Sequence, residues 1–247
     1  MNLRSVAVCL ILALFTVVTT AADRPSAEPA PPFNGTSLDN WTTLDGQPVT
    51  CGWEVVDGMI HLTETKERSG HILTRDEYGD FELSFEWKIA PGGNSGLKYR
   101  VCRYGGKVLG CEYQIFDDEK NAKSRPRPKG SAGALYDLYE PNESKQLKPA
   151  GEFNTACIVV QGDRIEHWLN GQLIVSATVG DNQWNRAVAE SKFADVKDFA
   201  RNGTGRIMLT DHGSEVWYRN IQFRLLPTTK PSSATTEVGE KHCPPSS

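Results

Sequence analysis

The side chains best suited to acid–base chemistry are a glutamate on a predicted strand and an Asp-His pair in a predicted turn. Glu112 alternates with apolar residues in CEYQIF (111–116), and Asp211 and His212 precede a glycine. Carboxylates and imidazoles are the usual general acids and bases of enzymes, and histidine titrates near neutral pH. Each residue also has a structural alternative, because Glu112 could pair with an arginine and Asp-His-Gly could be an ordinary turn. We treat Glu112, Asp211 and His212 as candidate catalytic residues.

Polar residues that could bind a substrate lie on neighbouring predicted strands. Arg100 ends the stretch GGNSGLKYR (92–100), which contains Asn94, and strict alternation places Arg100 on the same side of its strand as Lys98. Gln114 shares a side with Glu112. Gly-rich stretches are usually plain turns, but the segments that flank these strands are unusually rich in Gly, Asn and Asp. We therefore expect Asn94, Arg100 and Gln114 to bind substrate.

Two tryptophans, Trp168 and Trp217, are candidates for stacking on a sugar ring. Aromatic side chains suit the apolar faces of sugars, although most tryptophans in a β-sandwich belong to its core. His167 falls between Ile165 and Leu169 on an apolar side of its strand, and we expect it to be buried.

The candidate residues lie on a series of short predicted strands. In FELSFEWKI (81–89) every odd position is large and apolar and every even position is polar, which is the alternation of a half-buried β-strand. About ten to twelve such strands follow one another between turn signals. The segment Trp184 to Phe199 is either a helix or a loop. We predict an all-β fold, a two-sheet antiparallel sandwich or jelly roll, in which one sheet leaves a face open for a site.

The two ends of the chain differ in composition from the middle. Residues 1–22 combine Arg4, an apolar run and small residues, which is typical of a cleaved signal peptide; the alternative, an uncleaved membrane anchor, needs a longer apolar run. Residues 23–32 form a Pro/Ala-rich linker and residues 227–247 a tail that we expect to be disordered. We expect one folded domain over residues 33–226. The mature protein should be exported, periplasmic or extracellular, and without a stable membrane span.

Composition narrows the classes of function. The chain has 27 Lys+Arg against 31 Asp+Glu, so its formal net charge is −4, which argues against a basic nucleic-acid-binding surface. Its mean hydropathy of −0.44 excludes a multi-span membrane protein.

The cysteines and the acidic loop each suggest a further feature. Cys102 and Cys111 flank the turn-like YGGK (104–107), and we expect a local disulfide between them because export permits disulfides. No cysteine or histidine spacing matches a zinc site. The segment 117–121 is rich in oxygen ligands and compatible with calcium, but a solvated acidic loop is the simpler interpretation. No cofactor is assigned with certainty.

Ten motifs in order, rather than any one of them, resemble a known family. From residue 33 to residue 226 the chain is similar to the 3-keto-disaccharide hydrolases of secreted bacterial type. The matching stretches are FNGTSLDNW (33–41), GWEVVDGMI (52–60), YGDFELSFEWKI (78–89), GGNSGLKYR (92–100), CEYQIFDD (111–118), SAGALYDLY (131–139), PAGEFNT (149–155), HWLNG (167–171), SKF (191–193) and TDHGSEVWYRNIQFR (210–224). The resemblance implies a concanavalin A-like jelly roll and cleavage of glycosidic bonds in sugars already oxidised to the ketone at C3. It also implies a functional partnership with a sugar 3-dehydrogenase.

The chain departs from the family pattern at two places. Ala156 and Cys157 stand where the family usually has an aromatic residue and an arginine, and Thr210 stands where it usually has glutamine. Neither change removes a candidate carboxylate or histidine, but Thr210 leaves the substrate preference open.

A ketone at C3 would let such an enzyme work by elimination. The ketone acidifies the C2 proton, so a base can remove it, the group on C1 leaves, and water adds to the enone to give net hydrolysis. The route needs a base, a partner for the enolate oxygen and an acid. On the resemblance, Glu112, Asp211 and His212 supply the acid–base groups, and Arg100, with Gln114 beside it, the oxygen partner.

Two other functions stay open at this point. The chain could be a non-catalytic carbohydrate-binding module on the same jelly roll, in which Trp168 or Trp217 would hold the sugar. It could also be a scaffold domain in a cell-surface assembly, since a fold does not fix a function.

Overall fold

The computed structural model describes residues 29–120 and 128–227. The predicted signal peptide, most of the predicted linker and all but the first residue of the predicted tail lie outside these residues. In the part described, no helix is long and apolar enough to cross a membrane.

Two antiparallel sheets make up the fold, which confirms the predicted all-β jelly-roll sandwich. One sheet has five strands in the order β1-β4-β11-β6-β7 and the other has seven in the order β10-β9-β8-β5-β12-β3-β2. The strands are β1 (Trp41–Thr43), β2 (Trp53–Val56), β3 (Met59–Leu62), β4 (Ile72–Thr74), β5 (Phe81–Ile89), β6 (Asn94–Tyr104), β7 (Lys107–Phe116), β8 (Asn154–Gln161), β9 (Arg164–Leu169), β10 (Gln172–Thr178), β11 (Arg206–Asp211) and β12 (Val216–Leu225).

The core lies between the two sheets and follows from the alternation in the sequence. The odd positions of β5 are all buried and its even positions are half-buried. Phe81 and Phe85 of β5 meet Tyr99 of β6 and Tyr113 of β7 edge to face, with ring centres 6.2 and 5.9 Å apart. Edge-to-face pairs are a favoured aromatic geometry, so these rings fix how one sheet packs on the other.

The segment predicted as a helix or a loop contains both. Helix α1 (Asn182–Ala189) is capped by Asp181, whose side chain accepts a hydrogen bond from the backbone N–H of Trp184. Turns follow the helix up to Phe199, whose ring stacks on that of Trp184. The segment therefore packs its aromatic side chains on the core without being helical throughout.

The predicted disulfide between Cys102 and Cys111 is absent, and both thiols are free. The strand register pairs Cys111 with Tyr99 and Cys102 with Leu109, so the two cysteines are not opposite each other. Diagonal positions on paired strands are separated by about 7–8 Å between Cα atoms, beyond the usual separation in a disulfide. Burial raises the pKa of Cys111 to about 12.

His167 is fully buried, as the sequence predicts, and is held in its neutral form. One ring nitrogen, Nε2, lies 2.8 Å from the Tyr99 hydroxyl, and the other, Nδ1, lies 3.0 Å from the carbonyl oxygen of Gly133. A carbonyl can only accept, so Nδ1 carries the proton and Nε2 accepts from the tyrosine. Burial lowers the pKa of His167 to about 4.

We predict that this histidine makes the protein less stable as the pH falls from about 6.5 to about 4. In that range the unfolded chain binds a proton that the folded chain excludes, so the free energy of unfolding falls with pH, by about 3 kcal/mol for this group. His167→Gln, which keeps a polar side chain at the position, should lower stability at pH 7 and flatten the dependence. Urea unfolding at several pH values measures both effects. Equal slopes in the two proteins over this range would contradict the prediction.

Candidate active site

The outward face of the five-stranded sheet carries most of the candidate residues. We call it the open face and define it by side chains that alternate with core residues on four neighbouring strands. They are His71 and Leu73 at the start of β4, Met208 and Thr210 on β11, Gly96 and Lys98 on β6, and Glu112 and Gln114 on β7. The strand register therefore brings together residues that are more than a hundred positions apart in the chain.

Glu112 lies on β7, an edge strand of the five-stranded sheet, beside a lysine on β6. Its carboxylate oxygen Oε2 is 3.6 Å from Nζ of Lys98, its cross-strand partner, and only 5% of the glutamate side chain is exposed. A Cβ atom at Gly96 would lie 2.4 Å from the other carboxylate oxygen and 3.1 Å from the carboxylate carbon, so a larger residue at this position would push the Glu112 carboxylate away from its place. The GGNSG stretch is thus more than a turn, because its last glycine makes space for the carboxylate.

The loop after β11 places His212 next to this pair. The Asp211 carboxylate accepts hydrogen bonds from Arg68 at 3.1 Å and from the backbone N–H of Gly213 at 2.8 Å. The backbone N–H of Asn94 donates to the Ser214 hydroxyl, which ties the loop to β6. The Asp211 side chain is therefore engaged in shaping the loop, while His212 is exposed at its tip.

A second histidine, His71, completes this side of the site. Its Nδ1 accepts a hydrogen bond from the backbone N–H of Asp211 at 2.9 Å, so the neutral ring carries its proton on Nε2. The rings of His71 and His212 meet edge to face with centres 5.6 Å apart.

The motifs SAGALYDLY and SKF border the opposite side. The backbone N–H of Tyr136 donates to the Glu112 carbonyl oxygen, and the Asp137 carboxylate accepts from the backbone N–H of Lys192. These contacts bring Nζ of Lys192 to 4.1 Å from the centre of the Tyr136 ring. Much of the Lys192 chain is exposed, but its charged end lies over this ring and close to Glu112.

The electrostatic environment favours neutral histidines at the site. Burial among neighbouring side chains, followed by the positive charge of Lys98, lowers the pKa of His71. Burial also lowers the pKa of His212, with Glu112 acting against it, even though one side of this residue is exposed. The pKa of Lys192 is lowered by burial of its ammonium and by Lys98. The histidines are thus neutral at pH 7, and Lys192 is a stronger acid than an ordinary lysine.

The amide side chains of Asn94 and Gln114 lie together at one end of the face. Gln114 donates to Asn94 through its Nε2 at 2.9 Å. The structure therefore brings together five of the residues selected from the sequence: Asn94, Glu112, Gln114, Asp211 and His212.

Arg100 does not belong to this group, although the sequence predicts that it does. A β-bulge interrupts β6 between Tyr99 and Cys102, and Arg100 adopts a φ of +50° there. The bulge breaks the alternation that would have placed Arg100 beside Lys98. Its buried guanidinium instead pairs with Asp80 at 3.7 Å and donates to the carbonyl oxygen of Gly162 in the β8–β9 turn. Arg100 thus connects the two sheets.

The two tryptophans proposed to stack on sugar lie on the outer face of the other sheet. Trp168 is 92% buried there, with Cys157 and Val159, and its indole N–H donates to Glu166. Trp217 stacks on His61, and the ammonium of Lys88 lies 3.8 Å from its ring centre. The thickness of the sandwich, about 10 Å between sheets, separates both tryptophans from Glu112.

Four residues of the site are missing from the candidates chosen by sequence. For Lys98, the only signal in the sequence was the alternation of its strand. His71 precedes a strand of three residues, and the sequence does not reveal the register of that strand. Arg68 and Lys192 come from irregular segments. SKF is one of the resembling motifs, so it was the one available signal for Lys192.

The Asp117 and Asp118 carboxylates in the acidic loop after β7 have hydrogen-bond or ion-pair partners within the protein. Asp117 accepts hydrogen bonds from the backbone N–H groups of Gly92, Glu119 and Lys120, and Asp118 pairs with Lys145 at 2.6 Å. Asn121 lies outside the described residues. Among residues 29–120 and 128–227, no cluster of three or more His, Cys, Asp or Glu side chains is arranged to hold a metal ion.

Comparison with known proteins assigns the chain to a family. The fold superposes on the crystal structure of a proposed glycosyl hydrolase from Parabacteroides distasonis with a TM-score of 0.70 and 30% sequence identity, covering 79% of this chain and 93% of that one. A second such protein from the same organism gives a TM-score of 0.60 and 27% identity, over 76% and 95% of the two chains. A 3-keto-disaccharide hydrolase of Bacteroides thetaiotaomicron is 27% identical over 78% of this chain and 77% of its own length. The model of the 3-keto-α-glucoside-1,2-lyase-like domain matches residues 28–224, and the chain therefore belongs to that family.

Proposed function

We propose that this protein is an exported enzyme that cleaves 3-keto-glycosides on the open face by elimination followed by hydration. One observation carries the proposal: the Glu112 carboxylate shares one end of the molecule with two lysines and two neutral histidines. These residues are Lys98, Lys192, His71 and His212. Family membership and the named hydrolase relative support the substrate class. The apolar segment at residues 1–22 supports export, and a sugar 3-dehydrogenase would supply the ketone.

Glu112 is the base of the elimination step. It removes the proton on C2, which the neighbouring ketone makes acidic, and the electron pair moves to form an enolate on the C3 oxygen. The ammonium of Lys98 and the Nε2–H of His71 both lie on the same face and can hold that oxygen. Placed donors of this kind stabilise a developing oxyanion.

Lys192 is the acid of this step. As the enolate collapses, the bond between C1 and the glycosidic oxygen breaks, and that oxygen takes a proton from the Lys192 ammonium. The lowered pKa of Lys192 makes this transfer easier than from an ordinary lysine. The products of elimination are a free alcohol and a sugar with a C1–C2 double bond conjugated to the ketone.

His212 is the base of the hydration step. Its neutral ring removes a proton from water as the oxygen adds to C1, and Glu112 returns a proton to C2. The proton on His212 then restores the Lys192 ammonium through solvent, so the whole cycle consumes one water molecule. Asp211 acts as a positioning residue that fixes the loop carrying His212.

We predict that Glu112→Gln lowers kcat for a 3-keto-disaccharide by at least about a hundredfold, because amide nitrogen cannot take the C2 proton. Chromatography of the products, with the unoxidised disaccharide in parallel, measures the loss. Glu166→Gln is the matched control, since this glutamate is equally buried, with 5% of its side chain exposed, on the outer face of the other sheet. Near-native activity of Glu112→Gln would remove Glu112 from the mechanism. Sugar binding without cleavage by the native protein would favour the carbohydrate-binding module instead.

We predict that His212→Ala still eliminates but hydrates slowly, so that the unsaturated 3-keto sugar accumulates. The conjugated enone absorbs in the ultraviolet, which allows its build-up to be followed directly. As a control, the purified enone added to the native protein should be consumed, while the variant should leave most of it. Equal loss of both steps in the variant would show that His212 does not act in hydration alone.

A further inference from the structure

Arg68 holds the loop that carries His212 at two points, one on each side of that histidine. Its Nη1 donates to the Asp211 carboxylate at 3.1 Å, and its Nη2 donates to the carbonyl oxygen of Gly213 at 3.4 Å. Its Nε donates to the Thr65 carbonyl oxygen at 2.8 Å, so the guanidinium is also fixed on its own segment. The donors of one planar group therefore set the position of the loop after β11 relative to the segment before β4.

The pair between Arg68 and Asp211 is mostly covered, so the loss of one partner would disturb the loop. Asp211 exposes 5% of its side chain and Arg68 exposes 16%. Without the arginine, only the backbone N–H of Gly213, among the described residues, would still donate to the Asp211 carboxylate. A covered charge that has lost its partner is costly. The loop would therefore shift to expose this carboxylate to water, and His212 would move with it.

The groups that carry out the elimination step are held independently of Arg68. Glu112 and Lys98 are cross-strand partners within the five-stranded sheet. Lys192 lies on the opposite side of the site, where the Asp137 carboxylate accepts a hydrogen bond from its backbone N–H. These contacts do not involve Arg68, so its replacement should leave the base and the acid of the elimination step in position.

The sheet also holds His71 in place without help from the arginine. Nδ1 of His71 accepts from the backbone N–H of Asp211, which is the last residue of β11 and pairs with Ser95 of β6. The His71 ring is thus oriented by a backbone group of the sheet. His212, by contrast, follows the end of β11 and lies between the two residues that Arg68 binds. Loss of the arginine should therefore displace His212 more than His71.

We propose that Arg68 is a positioning residue that makes the protein hydrate the enone instead of releasing it. The inference rests on the proposed function, in which His212 is the base of the hydration step. A displacement of about 1 Å in a reacting group can lower a rate about a hundredfold. When hydration is slow, the products are the free alcohol and the unsaturated 3-keto sugar, and no water is consumed. The arginine thus decides whether the protein acts as a hydrolase or as a lyase.

The test measures the two steps separately in Arg68→Lys, which keeps the positive charge but loses the fork of donors. Release of methanol from 3-keto methyl α-glucoside gives the rate of elimination. Consumption of the purified enone, followed by its ultraviolet absorbance, gives the rate of hydration. The ratio of hydration to elimination should fall at least about tenfold from its native value. Arg224→Lys is the matched control and should keep the native ratio, because Arg224 pairs with Glu82 on the outer face of the other sheet.

A double substitution separates positioning of His212 from a general loosening of the fold. In His212→Ala the loop carries no base, so adding Arg68→Lys should change the ratio by less than about twofold. A further loss as large as that in the single variant would overturn the inference.

The remaining outcomes distinguish this inference from the proposed function. Should Arg68→Lys fail to fold, Asp211→Asn, which removes the charge on the other side of the pair, should lower the ratio at least about threefold. An unchanged ratio in a folded variant overturns the role of Arg68 and leaves the proposed function standing. Failure of the native protein to cleave both 3-keto methyl α-glucoside and a 3-keto-disaccharide overturns the proposed function as well.

Discussion

The candidate site depends on holding a glutamate and a lysine side by side on a mostly covered sheet surface. Glu112 and Lys98 expose 5% and 14% of their side chains, so both charges have lost much of their water. Desolvated charges are costly unless they are paired, and cross-strand placement supplies the pair. The glycine at position 96 leaves the Glu112 carboxylate room for that placement, and His212 and Lys192 lie within its electrostatic reach.

One side of the five-stranded sheet packs into the core and stabilises the fold, and the other side carries the candidate site. Leu97 and Tyr113 face the seven-stranded sheet and build the core, while their neighbours in sequence, Lys98 and Glu112, carry the charged groups. The loop after β11 is fixed at several points, including a 2.9 Å contact in which the Glu215 carboxylate is the acceptor for Nε2 of His61 on the other sheet. The site is therefore built on strands and a fastened loop, which suits a reaction that needs several groups in fixed positions.

Much of the fold could be predicted from the sequence because alternation on strands such as β5 is a local property. The same rule correctly grouped Glu112 with Gln114. It was wrong for Arg100, since a single bulge in β6 reverses the side on which that residue lies. The sequence could not predict the positions of three other site residues, His71, Arg68 and Lys192. Their positions depend on the register of distant strands and on irregular segments. Trp168 and Trp217 lie on the outer face of the other sheet, and composition cannot tell which outer face of a sandwich a given tryptophan occupies.

The central claim is that cleavage passes through removal of the C2 proton, and isotope exchange tests it most directly. The native protein would cleave 3-keto methyl α-glucoside in D₂O, and NMR would follow the product at C2, with the substrate alone as a control for spontaneous exchange. Water must enter the site for the hydration step before Glu112 returns a proton to C2, and in D₂O that water supplies deuterons to the carboxyl group, so the account predicts deuterium at C2 of the product. A product that keeps hydrogen at C2, formed at the full rate, would contradict the account and indicate direct hydrolysis at C1.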